Sequence, residues 1–579
     1  MLNTIVGAEQ MENSRIAEVN KKKGKGIGRA VAMLGLAAVA VLAFAAYKYL
    51  TNRPGEAAIK YIPADASLVA TFDGNPSTSQ LASFARIKQA LGSEQIGDLS
   101  ATLLGNAFNN NPVVKDVQPY VTNNLAFAAW TDAKFEKTET ALFMSITDSS
   151  AVERALAKDC KEGPGGGLYA MPAMPNGLLG VVGNYLIFTN SAARFDQIVQ
   201  VSKGKLPSVA TLNAYTAARA ALPSDSNLMC FVSPEVYRQS QAVNKRPVMK
   251  SSGWFSLGIA VREKGLAMVC RTPINDEGLG TAPKLDLSIL NKLPSGAYGV
   301  LAISDPSAWY TAYAKSTGSE ATVESALADV RQKNGIDPIS DVLAKLSGDV
   351  ELAVYPGKTS TTSSPTASGF SSTNSMQPGI LLYADSANGE DPIVVANKVF
   401  DAMQAHSSAW GNATVTKSQV GEATVWTVKQ GATAQPTMQG QPQPAPQDPW
   451  SVIATRGTIY ITSSPAMQAQ VLAMGTSGPT LAQDAPFVAM EKSIVPSAQS
   501  ALMVSLHRIF KSAMSGQDSV YTEVFGGGHA GVVGSSHYDN KTGVFELFIP
   551  LDWEKAIHWM GDTMKKAKAP PAPNPGSIS

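Results

Sequence analysis

The chain has 579 residues, with 47 Lys/Arg against 46 Asp/Glu, a formal net charge of +1, 44% hydrophobic residues and 16% charged residues. At the usual ~100–200 residues per domain this length predicts two to four domains, and charge well below the roughly 25% of soluble domains leaves Ser, Thr, Ala, Gly and Asn to fill the surface. The balanced charge leaves no basic stripe to neutralise phosphates, which excludes nucleic acid as an electrostatic partner.

The first 25 residues form a basic tail that holds Lys21, Lys22, Lys23 and Lys25. From Ala30 to Ala46 the run AVAMLGLAAVAVLAFAA carries no charge, and its flanks extend it over 26–50, the ~20 residues that a bilayer-spanning helix needs. Arg29 and the four lysines precede the run, whereas only Lys48 and Arg53 follow closely. By the positive-inside rule the N-terminus stays in the cytoplasm and the chain after about residue 52 is exported. A cleaved signal peptide is the rival reading, since Ala43-Phe44-Ala45 has a small-x-small pattern, but the run exceeds the ~7–15 residues of a signal core. Residues 1–50 hold seven Lys/Arg and three Asp/Glu, which leaves the exported part near neutral with 40 basic and 43 acidic residues.

After the span, apolar runs rich in Val, Ile, Phe and Tyr predict strands near 67–73, 124–130, 140–147, 178–182, 185–190, 227–232, 254–261 and 265–271. Apolar residues at three- and four-residue spacing predict helices near 78–91, 150–159, 191–202 and 212–222. The last two strands surround Arg262-Glu263-Lys264-Gly265, a hairpin signal with glycine at the position that suits a left-handed turn. The three cysteines, Cys160, Cys230 and Cys270, make neither an even framework nor a metal spacing. Cys230 and Cys270 read as buried thiols in strands, and one disulfide between them is open if those strands are neighbours.

Beyond a linker at 272–291 the pattern starts again. YIPADASLVATFD from Tyr61 is matched by KLPSGAYGVLAISD from Lys292, NNLAFAAWTD from Asn123 by GDVELAVYPG from Gly348, and TALFMSITD from Thr140 by GILLYADS from Gly379. GNYLIFTNSAARFDQIVQ from Gly183 pairs with RGTIYITSSPAMQAQVLA from Arg456, so that Thr189, Ser191, Ala193 and Gln197 match Thr462, Ser464, Ala466 and Gln470. Pro223-Ser224 and Pro496-Ser497 each precede an apolar strand, and a second hairpin pattern follows His529. The offset between copies grows because the second holds inserts at 357–378 and 429–449. Their Ser/Thr/Pro/Gln composition cannot bury apolar area, and it predicts mobile loops. The organisation expected is an α+β fold of two tandem, mostly antiparallel copies, 60–271 and 292–550, after one transmembrane helix. Residues 551–568 follow as an amphipathic helix with Trp553, Ile557, Met560 and Met564 in one stripe, packed on the second copy or laid on a membrane surface. Residues 569–579 read as a disordered tail.

The Pro-led first strand, the segment PYVTNNLAFAAWTD, GNYLIFTNSAARFDQIV and TLNAYTAARAALPSDSNLMCFVS together resemble the bacterial family called domain of unknown function 3352. The resemblance covers most of 60–270 and, more weakly, 293–510. It implies an N-terminal membrane segment, an exported region and an envelope location, and it supplies no activity.

Signatures of chemistry are thin. The chain contains no G-x-S-x-G, H-E-x-x-H, G-x-x-x-x-G-K-S/T or C-x-x-C pattern. GKGIGR from Gly24 reads as a flank of the membrane run. His529 and His537 on one predicted strand would stand ~27 Å apart, and His558, His406 and His507 have no Cys or His partner at ligand spacing. Asp385, Glu390 and Asp391 fall in a loop-like stretch with too few regularly spaced oxygens for a Ca²⁺ loop. No catalytic, cofactor-binding or metal-ligating residue is therefore assigned, and no cofactor is expected. The role expected is a non-catalytic structural or protein-interaction one, in a single-pass protein of the bacterial cytoplasmic membrane. A carrier or sensor of a hydrophobic ligand such as lipid is the alternative, and an envelope enzyme comes third. A large apolar cavity would favour the carrier, and a filled core with an exposed apolar patch the interaction protein.

Overall fold

The computed structural model describes most of residues 56–553. The longer spans outside the described residues are 1–55, 73–112, 237–252, 309–323, 430–447, 514–530 and 556–579. The membrane run at 26–50, the helix expected at 78–91, most of the second insert and the tail therefore lie outside them. Among the described residues no helix is long and apolar enough to cross a membrane. The chain divides into two compact units, one up to Trp130 together with Thr138–Ala210, the other made of Thr131–Lys137 and Thr211 onwards. The architecture is α+β with antiparallel strands throughout.

In the first unit the strands are β1 (Leu68–Phe72), β2 (Val121–Thr131), β3 (Thr138–Ile146), β4 (Lys161–Glu162), β5 (Leu168–Ala170), β6 (Leu178–Val182) and β7 (Tyr185–Thr189). They lie in the order β1-β2-β3-β7-β6-β5-β4. The helices are α1 (Val113–Val117), α2 (Ser149–Asp159) and α3 (Ala192–Ser202). Local chemistry explains where they start. Asp148 accepts from the Ala151 amide at the head of α2, and Ser191 accepts from the Arg194 amide at the head of α3, each satisfying a donor that the first helical turn leaves over. α3 buries Phe195, Ile198 and Val201. The Phe195 ring lies over Gly180 of β6, where any Cβ would stand 2.3 Å from the ring.

The second unit begins with α4 (Asn213–Ala221), β8 (Leu228–Val232), β9 (Phe255–Arg262) and β10 (Gly265–Pro273). It continues with β11 (Gly299–Ser304), β12 (Asp349–Thr366), β13 (Gly369–Asp385), α5 (Pro392–Ala405), β14 (Thr414–Val420), β15 (Ala423–Lys429), β16 (Trp450–Thr455) and β17 (Thr458–Thr462). α6 (Pro465–Met474), α7 (Ala485–Glu491), β18 (Ser500–Ser505), α8 (Leu506–Ala513), β19 (Gly531–Asp539) and β20 (Thr542–Pro550) complete it. One sheet runs β14-β15-β16-β17-β13-β12-β11-β18-β19-β20-β10-β9-β8. The unit boundary at Ala210/Thr211 counts β8 to β10 with the second unit; there β10 pairs residue for residue with β20, from Gly265↔Pro550 to Pro273↔Thr542.

Two details differ from what composition suggests. Where the Ser/Thr-rich insert 357–378 reads as a loop, Lys358–Thr366 and Gly369–Gln377 continue β12 and β13 as a paired ladder. Such a hairpin satisfies its backbone groups strand to strand and needs no apolar burial, and threonine suits it. β19 (Gly531–Asp539) carries His537, and His529 lies outside the described residues. Cys230 and Cys270 are not on neighbouring strands, since both face Leu257 of β9 from opposite sides. Two strand spacings put their Cα atoms ~10 Å apart, beyond the ~7 Å a disulfide tolerates, and all three cysteines are free.

Candidate interaction surface

Strand alternation gives the second unit's sheet two faces. The inner face carries Val300, Ala353, Tyr355, Leu381, Tyr383, Val425, Ile453 and Met503, which form one filled core with Met467, Val471, Phe487 and Met490 of α6 and α7. Met467 heads α6 through its amide, which donates to Ser464 Oγ. Among the described residues, the outer face is covered by a helix at one end. There α5 lays Ala396 and Phe400 on Ala384, Trp426, Val452, Ala454 and Ile459, and the Phe400 and Trp426 rings stack with centroids 5.5 Å apart.

Beyond α5 the outer face is an uninterrupted apolar row. Register places Ile461, Leu382, Leu352, Leu301 and Leu502 side by side across β17, β13, β12, β11 and β18, and continues through Gly534 to Leu547 and Met268. A parallel row holds Ile380, Val354, Gly299 and Val504, and Phe545 leans over Gly534. Leu301, Leu352, Ile380, Ile461 and Phe545 are 37%, 38%, 42%, 36% and 39% exposed. Among the described residues, no outward position of these strands from β17 to β10 is charged. Monomeric surfaces seldom leave so continuous an apolar area bare.

The charges of this region are on the other side. Glu351 of β12 points inward between Ala302 and Tyr383, is wholly buried, and neither carboxyl oxygen has a hydrogen-bond partner. Burial, and then the repulsion of Asp349, Asp385 and Asp286, pushes its carboxyl up to about 10, so it is protonated at neutral pH. Burial likewise lifts Asp349 to about 6, against the pull of the Asp286 amide that donates to it. Tyr383 donates to Asp385 Oδ1, and burial holds its hydroxyl far above its ordinary range. No ion pair reaches any of these four carboxyls among the described residues. Glu351 reads from sequence as one more residue of the strand GDVELAVYPG. Its parity with Ala353 and Tyr355 was the available signal.

The other candidate residues do not converge. His406, Glu390, His529 and His558 fall outside the described residues. His507 is on α8 and His537 on β19, each with a buried Nδ1 that has no hydrogen-bond partner. Asp391 caps α5 by accepting from the Ile393 amide. No group of three or more His, Cys, Asp or Glu among the described residues is placed to hold a metal ion. A cleft of about 330 Å³ is lined by Pro223, Arg262, Met268, Ser493, Ser535 and Glu546, and a second opening, of about 20 Å³, lies among Val113, Val117, Leu156 and Leu179. Trp553 Nε1 donates to the Arg262 carbonyl; Ile557, Met560 and Met564 lie outside the described residues.

Comparison with known proteins gives a family and no activity. No curated protein matches the chain. Two crystal forms of TP0453 are similar, form I at 11% identity over 40% of this chain and 82% of that one, form III at 10% identity over 42% and 84%. Both have a TM-score of 0.22, at which the likeness supports no conclusion. The sequence match is far broader: residues 27–502 match the family described as "Protein of unknown function (DUF3352)", and with more than four fifths of its length inside that match, the chain belongs to this family.

Proposed function

We propose that the protein is a membrane-anchored component of the bacterial cell envelope whose exported part works by contact with another protein and not by catalysis. The observation that carries this reading is the apolar, charge-free outer face of the second unit beside a filled inner core. A carrier would need an enclosed apolar chamber of ~300–1,000 Å³, whereas the 330 Å³ cleft is edged by Arg262, Ser535 and Glu546. The location rests on the charge asymmetry around residues 26–50. We also read the exported part as a duplication. In support, the strand order β1-β2-β3-β7-β6-β5-β4 recurs as β11-β12-β13-β17-β16-β15-β14. The lone bridges Pro63↔Ser208 and Pro294↔Thr480 are equivalent, as are Gly183 and Gly457, both at positive φ in the hairpins that precede β7 and β17.

A photo-crosslinking amino acid at Leu352, in intact cells, tests the contact. Joining to a protein is expected at Leu352 and not at Val394, which is 59% exposed on α5. A residue at 352 that joins nothing, or only lipid, would overturn the reading. A reporter active only in the cytoplasm, fused after Ser579, should be silent.

A further inference from the structure

We propose that the cleft over the junction of β10, β20 and β19 is a binding site for a small organic cation, an ammonium or guanidinium group carried on a short apolar stem. Every residue that lines it belongs to the second unit. The contact reading above concerns the opposite face of the sheet, and neither depends on the other.

The cleft has a defined floor. Inward positions of three adjacent strands supply it: Ala267 and Val269 of β10, Glu546 and Phe548 of β20, and Val533 and Ser535 of β19. Pro223, just after α4, and Ser493, just after α7, also line it. Its volume of about 330 Å³ falls at the lower end of the ~300–1,000 Å³ of ligand sites, which suits a small molecule or a single side chain.

Charge selects the occupant. Arg262 of the lining is engaged by Asp225, both of whose carboxyl oxygens accept from its guanidinium, and Arg271, one row along β10, binds Asp539. Glu546 is left over. It is partly buried beside apolar neighbours, and among the described residues no cation or hydrogen-bond donor reaches its carboxylate, although Arg271 is its diagonal neighbour in the β10–β20 register. The uncompensated charge of the cleft is therefore one negative charge, which repels an anion. A carboxylate and a hydroxyl are too few ligands for Ca²⁺, which takes about 6–8 oxygens, and no group of three or more His, Cys, Asp or Glu among the described residues is placed to hold a metal ion.

The groups around that charge suit an organic cation. Phe548 stands two residues from Glu546 on the same strand and face, ~6.8 Å along, so a cation seated on the carboxylate can also lie against an aromatic ring, a pairing that ammonium and guanidinium groups favour. Ser535 is directly opposite Glu546 and offers a hydroxyl to a further N–H, while Ala267, Val269 and Val533 take the stem. In the next row, Ser256, Arg271, Val544 and His537 lie side by side, and Ser256 Oγ, Arg271 Nε and His537 Nδ1 are buried without a hydrogen-bond partner. Buried polar atoms are nearly always paired, and this concentration of unpaired ones beside Glu546 sets the place apart from a structural core.

The test is saturation-transfer NMR on the full chain in a non-ionic detergent, with butylammonium, butanol and butyrate as probes, which share a stem and differ in the charge of the head. Butylammonium should bind about tenfold more tightly than the other two. Glu546→Gln should weaken it about tenfold and Phe548→Leu about two- to fivefold, with the urea unfolding transition of each variant unchanged. Nα-acetyl-lysine N-methylamide carries the same head on a peptide backbone and separates two sources of the cation: binding equal to that of butylammonium supports the site with a lysine side chain of a protein as its occupant, and weaker binding supports it with a free amine. If butanol binds as well as butylammonium, if Glu546→Gln changes nothing, or if no probe binds, the proposal is overturned. Should Glu546→Gln fail to fold, Ser493→Trp, at an exposed position of the lining, decides the matter: it should block butylammonium, and unchanged binding overturns the proposal.

Discussion

Replacing Glu351 with methionine should make the second unit more stable, and increasingly so as the pH rises. The carboxyl is wholly buried and makes no hydrogen bond, and it titrates near 10 where an exposed glutamate titrates at 4.5. Its folded value lies above its unfolded one, so its contribution is complete below pH 4.5 and is lost as pH climbs toward 10. Within that window each pH unit costs about 1.4 kcal/mol. Between pH 5 and 8 the native protein should therefore lose about 4 kcal/mol through this one group, while Glu351→Met, of similar volume and with nothing to ionise, loses none. Any slope left in the variant below pH 6 belongs to Asp349, whose window runs from 3.8 to about 6. Urea unfolding at pH 5, 6, 7 and 8, followed by tryptophan emission, reads the difference directly. Parallel pH profiles for the two proteins would refute the reasoning, because they would mean that Glu351 finds a partner or solvent in the folded state.

Three further outcomes follow from packing and geometry. Gly180→Ala should destabilise the first unit by about 1–3 kcal/mol, measured by chemical denaturation, because Phe195 occupies the space of the new methyl. Arg194→Met should cost about 1–3 kcal/mol in the same assay: the guanidinium binds Glu139 at 2.6 Å and Asp65 at 2.7 Å and sits 4.9 Å from the Trp130 ring centroid, and raised salt should not abolish the loss since its side chain is 18% exposed. Alkylation of the denatured, unreduced chain should modify three thiols, Cys160, Cys230 and Cys270, and a count of one would contradict the strand order β8-β9-β10.

Periodicity located the elements well because local signals agree there. Ser191 followed by AARFDQIVQVS marks a helix start that the Ser191 cap confirms, and the apolar runs at 178–182 and 185–189 are β6 and β7. The candidate surface was less legible. In β12 and β13 both strand parities are apolar: Val350, Leu352 and Val354 face outward and Ala353 and Tyr355 inward. Nothing local tells which set the helices cover, for that depends on where α5 lands. Glu351 escaped notice for the same reason, since a charge in an apolar strand is read as outward unless the neighbours of that parity are known to be buried. The insert at 357–378 was misleading because low complexity rules out a core and leaves backbone pairing open.

The nine-residue ladder between β10 and β20 sets a timetable for synthesis. Pro273 leaves the ribosome about 270 residues before Thr542, a delay of roughly 15–55 s at ~5–20 residues per second. Throughout it β10 has one edge without its partner strand, and it carries Leu266, Met268 and Val269 along that edge. Unpaired edges of this kind recruit other chains. Chains truncated before Thr542 should thus be far more prone to aggregate than full-length chains with substitutions elsewhere, and Gly265, whose Cβ would stand 2.1 Å from the Ile549 carbonyl oxygen, is the residue that lets the late strand dock.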